Sequence, residues 1–153
     1  MLDNFFLCKI KYEKIVEEGK VQKVSEDYVV HALSFTDAEH RIINEMKPYI
    51  SGEFEVANIR KIRLCELFDF GDGDRWYRCK INLITFDEES ATEKRSSITI
   101  LAHAGSVREA CDVLVKGMSG TLMDNYEITS VVETPIMDVY RDMAPVVEKT
   151  VTA

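Results

Sequence analysis

The chain has 153 residues, 46% of them apolar and 30% charged, and carries a formal net charge of −8. That length suits one compact domain, or two half-domains sharing a core, and the composition is that of a soluble globular protein. No run approaches the roughly 20 apolar residues of a membrane span, Met1-Leu2-Asp3-Asn4-Phe5-Phe6 lacks the basic region of a signal peptide, and the acidic balance weighs against a nucleic-acid binder that uses its whole surface.

In chain order, Phe5 to Ile15 alternates as a strand, with Phe6, Cys8, Ile10 and Tyr12 on one side and Phe5, Leu7, Lys9 and Lys11 on the other. Glu17-Glu18-Gly19-Lys20 reads as a turn, and Gln22 to Leu33 returns as the second strand of a hairpin. Ser34 opens a helix to about Tyr49, its stripe formed by Ala38, Ile42, Ile43 and Met46. Glu53 to Leu67 is extended and rich in branched residues, which predicts a strand with a bulge near 58–61. Asp69-Phe70-Gly71-Asp72-Gly73-Asp74 then joins two halves. Its acids and glycines suggest a calcium loop, but Arg75-Trp76-Tyr77 follows where further oxygen ligands belong, so a plain turn is the better reading.

The second half repeats the plan. Trp76 to Phe86 and Ser96 to Ala104 form a hairpin around a polar turn at 87–94, and Ser106 opens a helix to about Met118 with Val107, Ala110, Cys111, Leu114, Val115 and Met118 in its buried stripe. Tyr126 to about Tyr140 closes the half, with Pro135 implying an edge or a bulge. Residues 141–153 show no period and are expected to form a tail.

A repeat is visible in the residues themselves. His31-Ala32-Leu33-Ser34-Phe35-Thr36-Asp37-Ala38 returns 72 residues later as His103-Ala104-Gly105-Ser106-Val107-Arg108-Glu109-Ala110. Each serine has an acid three residues on, the capping-box spacing. At the same offset Phe54-Glu55-Val56 meets Tyr126-Glu127-Ile128, and Glu66-Leu67-Phe68 meets Asp138-Val139-Tyr140. The expectation is an α+β domain over 1–140, built from tandem ββαβ repeats at 5–68 and 76–140. One mixed, mostly antiparallel sheet would carry both helices on one face, a relative of the ferredoxin-like topology.

If one face of the sheet meets the helices, alternation gives the other face Phe5, Leu7, Lys9, Lys11, Val29 and His31, with Trp76, Arg78, Lys80, Leu101 and His103. Three functions compete for this apolar and basic surface. One is a homo-oligomer interface, since an uncovered apolar face wants a partner. Another is binding of single-stranded nucleic acid or a nucleotide, with Phe5 and Trp76 stacking on bases while Lys9, Lys11, Arg78 and Lys80 meet phosphates. The third is a small enzyme using His31 and His103 as acid and base. No phosphate-binding loop, zinc motif or nucleophile elbow occurs, so no catalytic residue, metal or cofactor is assigned. Cys8, Cys65, Cys79 and Cys111 form no CxxC pair; three fall in expected strands and one on a helix, as in a reduced intracellular protein.

Several segments together resemble an uncharacterised family of similar length found in Bacteroidota, their mobile elements and phages. They are Cys8-Lys9-Ile10-Lys11-Tyr12-Glu13-Lys14, Ala32-Leu33-Ser34-Phe35-Thr36-Asp37-Ala38-Glu39, Tyr49-Ile50-Ser51-Gly52-Glu53-Phe54, Asp72-Gly73-Asp74-Arg75-Trp76-Tyr77-Arg78-Cys79-Lys80 and Glu133-Thr134-Pro135-Ile136-Met137-Asp138-Val139. The chain departs from that pattern at Leu7, where the family tends to be polar, and in its tail. The resemblance supplies no catalytic residues. It implies a cytoplasmic setting in a bacterial or phage-infected cell, and an accessory part in DNA metabolism or host–phage conflict. The sequence as a whole points to a non-enzymatic binding or assembly module with no membrane partner, self-associating through its open sheet face, with nucleic-acid binding as the main alternative.

Overall fold

The computed structural model describes residues 2–141. Strand β1 (Leu2–Ile15) pairs antiparallel with β2 (Val21–His31), from Phe5 opposite His31 to Ile15 opposite Val21. A single 3₁₀ turn at Glu17–Gly19 joins them, and Gly19 takes a φ of 72° there, a left-handed conformation that glycine adopts without steric cost.

Helix α1 (Phe35–Met46) follows. A helix of 12 residues is marginal in water by itself, so its packing face must hold it. Ala38, Ile42 and Met46, each four apart, bury against Phe6, Cys8, Ile10, Val30 and Ala32. The cap works in both directions. The Asp37 N–H donates to Ser34 Oγ at 3.1 Å, and the Leu33 N–H donates to Asp37 Oδ2 at 2.8 Å.

Beyond α1, the long strand expected over 53–67 divides into β3 (Phe54–Leu64) and β4 (Glu66–Phe68). The break falls at Cys65, after the expected bulge, where the Cys65 N–H turns to the Thr99 carbonyl at 2.8 Å. Cys65 therefore lies between strands rather than within one. Then come β5 (Arg75–Asp87), β6 (Thr92–Ala104), α2 (Val107–Ser119), β7 (Tyr126–Thr134) and β8 (Ile136–Tyr140). Helix α2 repeats the reciprocal cap, with the Glu109 N–H on Ser106 Oγ at 3.2 Å and the Gly105 N–H on Glu109 Oε2 at 3.0 Å. Pro135, which has no N–H to give a ladder, separates β7 from β8.

The expectation of one sheet carrying both helices is corrected here: there are two mixed sheets of four strands, ordered β3-β1-β2-β8 and β4-β6-β5-β7. The cause is the two short strands after the breaks. Strand β4 pairs parallel with β6, and β8 pairs parallel with β2, so each closes a sheet whose other strands come from the opposite half of the chain. The chain accordingly divides into two compact units. One comprises Asn4–Ile62 and the segment from Ile136; the other comprises Arg63–Pro135 with the first three residues. Each unit has its own core between one sheet and one helix. In the second unit Ala110, Leu114 and Met118 of α2 bury against Tyr77, Cys79, Ile81, Ile100, Ala102 and Ala104. The two parallel registers match at the 72-residue offset, Glu66 opposite Ile100 and Asp138 opposite Tyr28. Of the tail expected at 141–153, residues 142–153 lie outside the described residues.

Candidate functional site

Alternation places the helix-facing residues as expected, which fixes the identity of the opposite face of each sheet. In the first unit that face carries Phe5, Lys9 and Lys11 from β1, opposite His31, Asp27 and Ser25 of β2. In the second it carries Trp76, Arg78 and Lys80 from β5, opposite His103, Leu101 and Thr99 of β6. Directly opposed residues of an antiparallel pair share a face. The register therefore brings each histidine onto an aromatic ring.

Those contacts are stacks. Phe5 and His31 lie with centroids 4.9 Å apart and planes at 17°, and Trp76 and His103 at 4.6 Å and 25°. Both aromatics are buried, Phe5 at 3% exposure and Trp76 at 5%, while both histidines are half-buried. Val29 and Leu101 of the same faces are also buried, as are Leu64 and Leu67. This corrects the view of the face as an uncovered apolar patch. Phe5, Val29, Trp76 and Leu101 are buried and Leu7 is half-buried, so Phe5 and Trp76 offer no free ring to a base.

The cations behave differently. Lys9, Lys11, Arg78 and Lys80 are exposed, and among the described residues none of the four makes an ion pair. Other basic groups are occupied. Arg75 meets Glu133 at 3.2 Å, Arg95 meets Glu127 at 3.0 Å, and Lys94 meets Asp87 at 3.4 Å. Asp87, held by Ser90, the Glu89 N–H and Lys94, keeps its carboxyl below the usual range. Among the described residues neither the His31 nor the His103 ring makes a side-chain hydrogen bond, so neither has the orienting partner that an acid–base pair uses.

Two features were invisible in the sequence reading. Asp27 stands opposite Lys9 and tempers the charge of that strand pair, a match only the register reveals. A broad, open groove of about 930 Å³ runs past Lys11, Tyr12, Lys23 and Ser25 to Ser51, Gly52 and Glu53. It is assembled from β1, β2 and the approach to β3, and no local motif marks it. Burial and its hydrogen bond with Glu26 hold the Tyr12 phenol above its ordinary range. Burial, with Glu26 beside it, pushes Tyr28 up as well, and Tyr28 stacks on Tyr140 at 6.2 Å. The acidic glycine turn brings no group of three or more metal-binding side chains together among the described residues.

Against known families, residues 4–142 match the one described as "Domain of unknown function (DUF4494)". The chain belongs to this family. No curated protein and no solved structure matches it. The DUF4494 description names no chemistry, so any reading of the site stands on geometry. Among the described residues of this DUF4494 member, no helix is long and apolar enough to cross a membrane.

Proposed function

We propose that this chain is a non-enzymatic binding module made by duplication of a ββαβ unit, and that its ligand is a polyanion of the single-stranded nucleic-acid type. One observation carries the reading: each unit holds a pair of exposed cations free of ion pairs on the strand that bears its buried aromatic ring. Lys9 and Lys11 follow Phe5, and Arg78 and Lys80 follow Trp76. Maintaining exposed, unpaired lysines and arginines on a chain of net charge −8 favours a negatively charged partner at those positions. Contact is to phosphates rather than by base stacking, because the rings are buried. Salt-sensitive, sequence-tolerant binding follows from that chemistry. The mobile-element or phage setting and a cytoplasmic location belong to the same proposal and rest on the family resemblance. Native mass measurement of purified protein tests it first: co-purified oligonucleotide supports the reading.

Self-association is the second reading, and its support moves to a sheet edge. Among the described residues strand β7 is an edge of its sheet, pairs with β5 alone, and exposes Ile128 and Val132. Free edges recruit further strands. A bulge at Thr129, whose hydroxyl donates to the Lys80 carbonyl at 2.9 Å, interrupts that edge and limits how long a ladder it can template. Light scattering over a concentration series separates a defined dimer from a monomer.

A further inference from the structure

The two units share a register, so residues in equivalent places can be compared one by one. Phe5 opposite His31 matches Trp76 opposite His103, an offset of 71 residues on the first strand and 72 on the second. Strands β3 and β7 also match at 72, beginning at Phe54 and Tyr126. The bulge is repeated as well. In β7 the ladder passes from Ser130 to Ile128, and Tyr126 and Val131 both pack on the helix-side core. In β3 Phe54 and Ile59, the same distance apart, both pack on the core beneath α1. An odd separation puts two residues of a regular strand on opposite faces, so β3 carries an extra residue between them. Beyond it Ile59 faces the helix side, which sets Arg60 on the face of Lys9 and Lys11 and returns Lys61 to the helix side. Arg60 and Lys61 are both exposed, and among the described residues neither forms an ion pair.

The place of Arg60 is held in the second unit by Val132, 45% exposed and opposite Arg78. The place of Arg78 is held in the first unit by Leu7, half-buried on β1. Cation and apolar residue have exchanged strands. One unit has its arginine on the interior strand β5, and the other has it on the edge strand β3, next to β1. The far side of β1 differs too, because Asp27 stands opposite Lys9 where the second unit sets Thr99 opposite Lys80. We infer that Arg60 is a third phosphate contact of the first unit, and that the nucleic-acid strand crosses this sheet from Lys11 and Lys9 toward β3, away from Asp27. In the second unit Arg78 and Lys80 have only Leu101, Thr99, Val132 and Ser130 opposite them, and the strand follows β5. The inference rests on the polyanion reading above and adds a residue to that site. Charge on an edge strand also blunts unwanted pairing, a purpose that Arg60 and Lys61 serve alike. Only the face separates them.

Anisotropy of a labelled oligothymidylate, titrated with Arg60→Gln and with Lys61→Gln over a range of salt, tests the assignment. Each substitution removes one positive charge at neighbouring exposed positions, and circular dichroism checks that both variants fold. Arg60→Gln should weaken binding and reduce the slope of log affinity against log salt by about 0.7, the share of one phosphate contact on a single strand. Lys61→Gln should leave affinity and slope as in the wild-type chain. An equal or larger loss from Lys61→Gln would show that net charge alone counts and would overturn the inference, as would no loss from Arg60→Gln. In both of those cases the wild-type chain still binds, so the polyanion reading stands. No binding by the wild type at low salt removes that reading and the role of Arg60 with it.

Discussion

The indole of Trp76 lies flat on the imidazole of His103, 4.6 Å between centroids, and the pairing is dictated by the β5–β6 register that sets the two residues opposite one another. Phe5 and His31 repeat the arrangement at 4.9 Å. Each ring is buried although it points away from the helix-side core of its unit. Both rings, being buried, cannot serve as an exposed platform. Trp76→Ala and Phe5→Ala should each destabilise the protein by about 3–5 kcal/mol in urea unfolding. His103→Ala, which removes a half-buried ring and keeps the buried indole itself, should cost less.

The two serine caps give a matched pair of smaller effects. Ser34→Ala and Ser106→Ala each remove an acceptor from a helix N–H, and each should cost about 1 kcal/mol by chemical denaturation. Asp37→Ala and Glu109→Ala release the N–H groups of Leu33 and Gly105 and should act in the same direction.

The thiols should separate by accessibility. Burial raises Cys8 and Cys79 from 9.0 to about 12, while Cys65 and Cys111 are half-buried. Alkylation of the folded protein at pH 8 should reach Cys65 and Cys111 and spare Cys8 and Cys79, as peptide mapping would show. The linkage has a definite sign. A thiol held neutral in the folded state keeps a proton that the unfolded chain releases, so these two groups leave stability unchanged below about pH 9 and reduce it between 9.0 and about 12. Denaturation midpoints measured across that window should fall as the pH rises.

Gly71→Ala and Gly73→Ala test a close crossing in the second unit, where the chain leaving β4 passes the end of β6. Both place a Cβ against backbone atoms at the end of β6, and Gly73 adds a φ of 133° that side chains rarely adopt. Each should lower stability by about 1–3 kcal/mol or more. Gly117→Ala should behave similarly for another reason, since its Cβ would meet the Phe68 ring.

Much of this architecture is legible in the residues because it is local. The caps at Ser34 and Ser106, the Ala38-Ile42-Met46 and Ala110-Leu114-Met118 rows and the inward alternation of Phe6-x-Cys8-x-Ile10 and Tyr77-x-Cys79-x-Ile81 all follow from spacing over a few positions, whereas Val107 and Val115, expected in the buried stripe of α2, are exposed. The division into two sheets does not. It depends on where the residues after Cys65 and Pro135 find partners, and those partners, Ile100 to Ala102 and Asp27 to Val30, are distant in sequence. Pro135 signals a break without saying that the strand beyond it joins the other sheet. The candidate site divides along the same line. Alternation puts Lys9, Arg78 and Trp76 on the face away from the helices, but burial, which separates Trp76 from the two cations, is a property of the whole fold.

The most direct test of the polyanion reading is fluorescence anisotropy of a labelled single-stranded oligonucleotide, titrated with protein over a range of salt concentrations. The wild-type chain should bind more weakly as salt rises. A combined Lys9→Glu, Arg78→Glu and Lys80→Glu variant, folded by circular dichroism, should lose most of its affinity and flatten the salt slope. No binding by the wild type at low salt, or binding that neither salt nor these substitutions alters, would contradict the account.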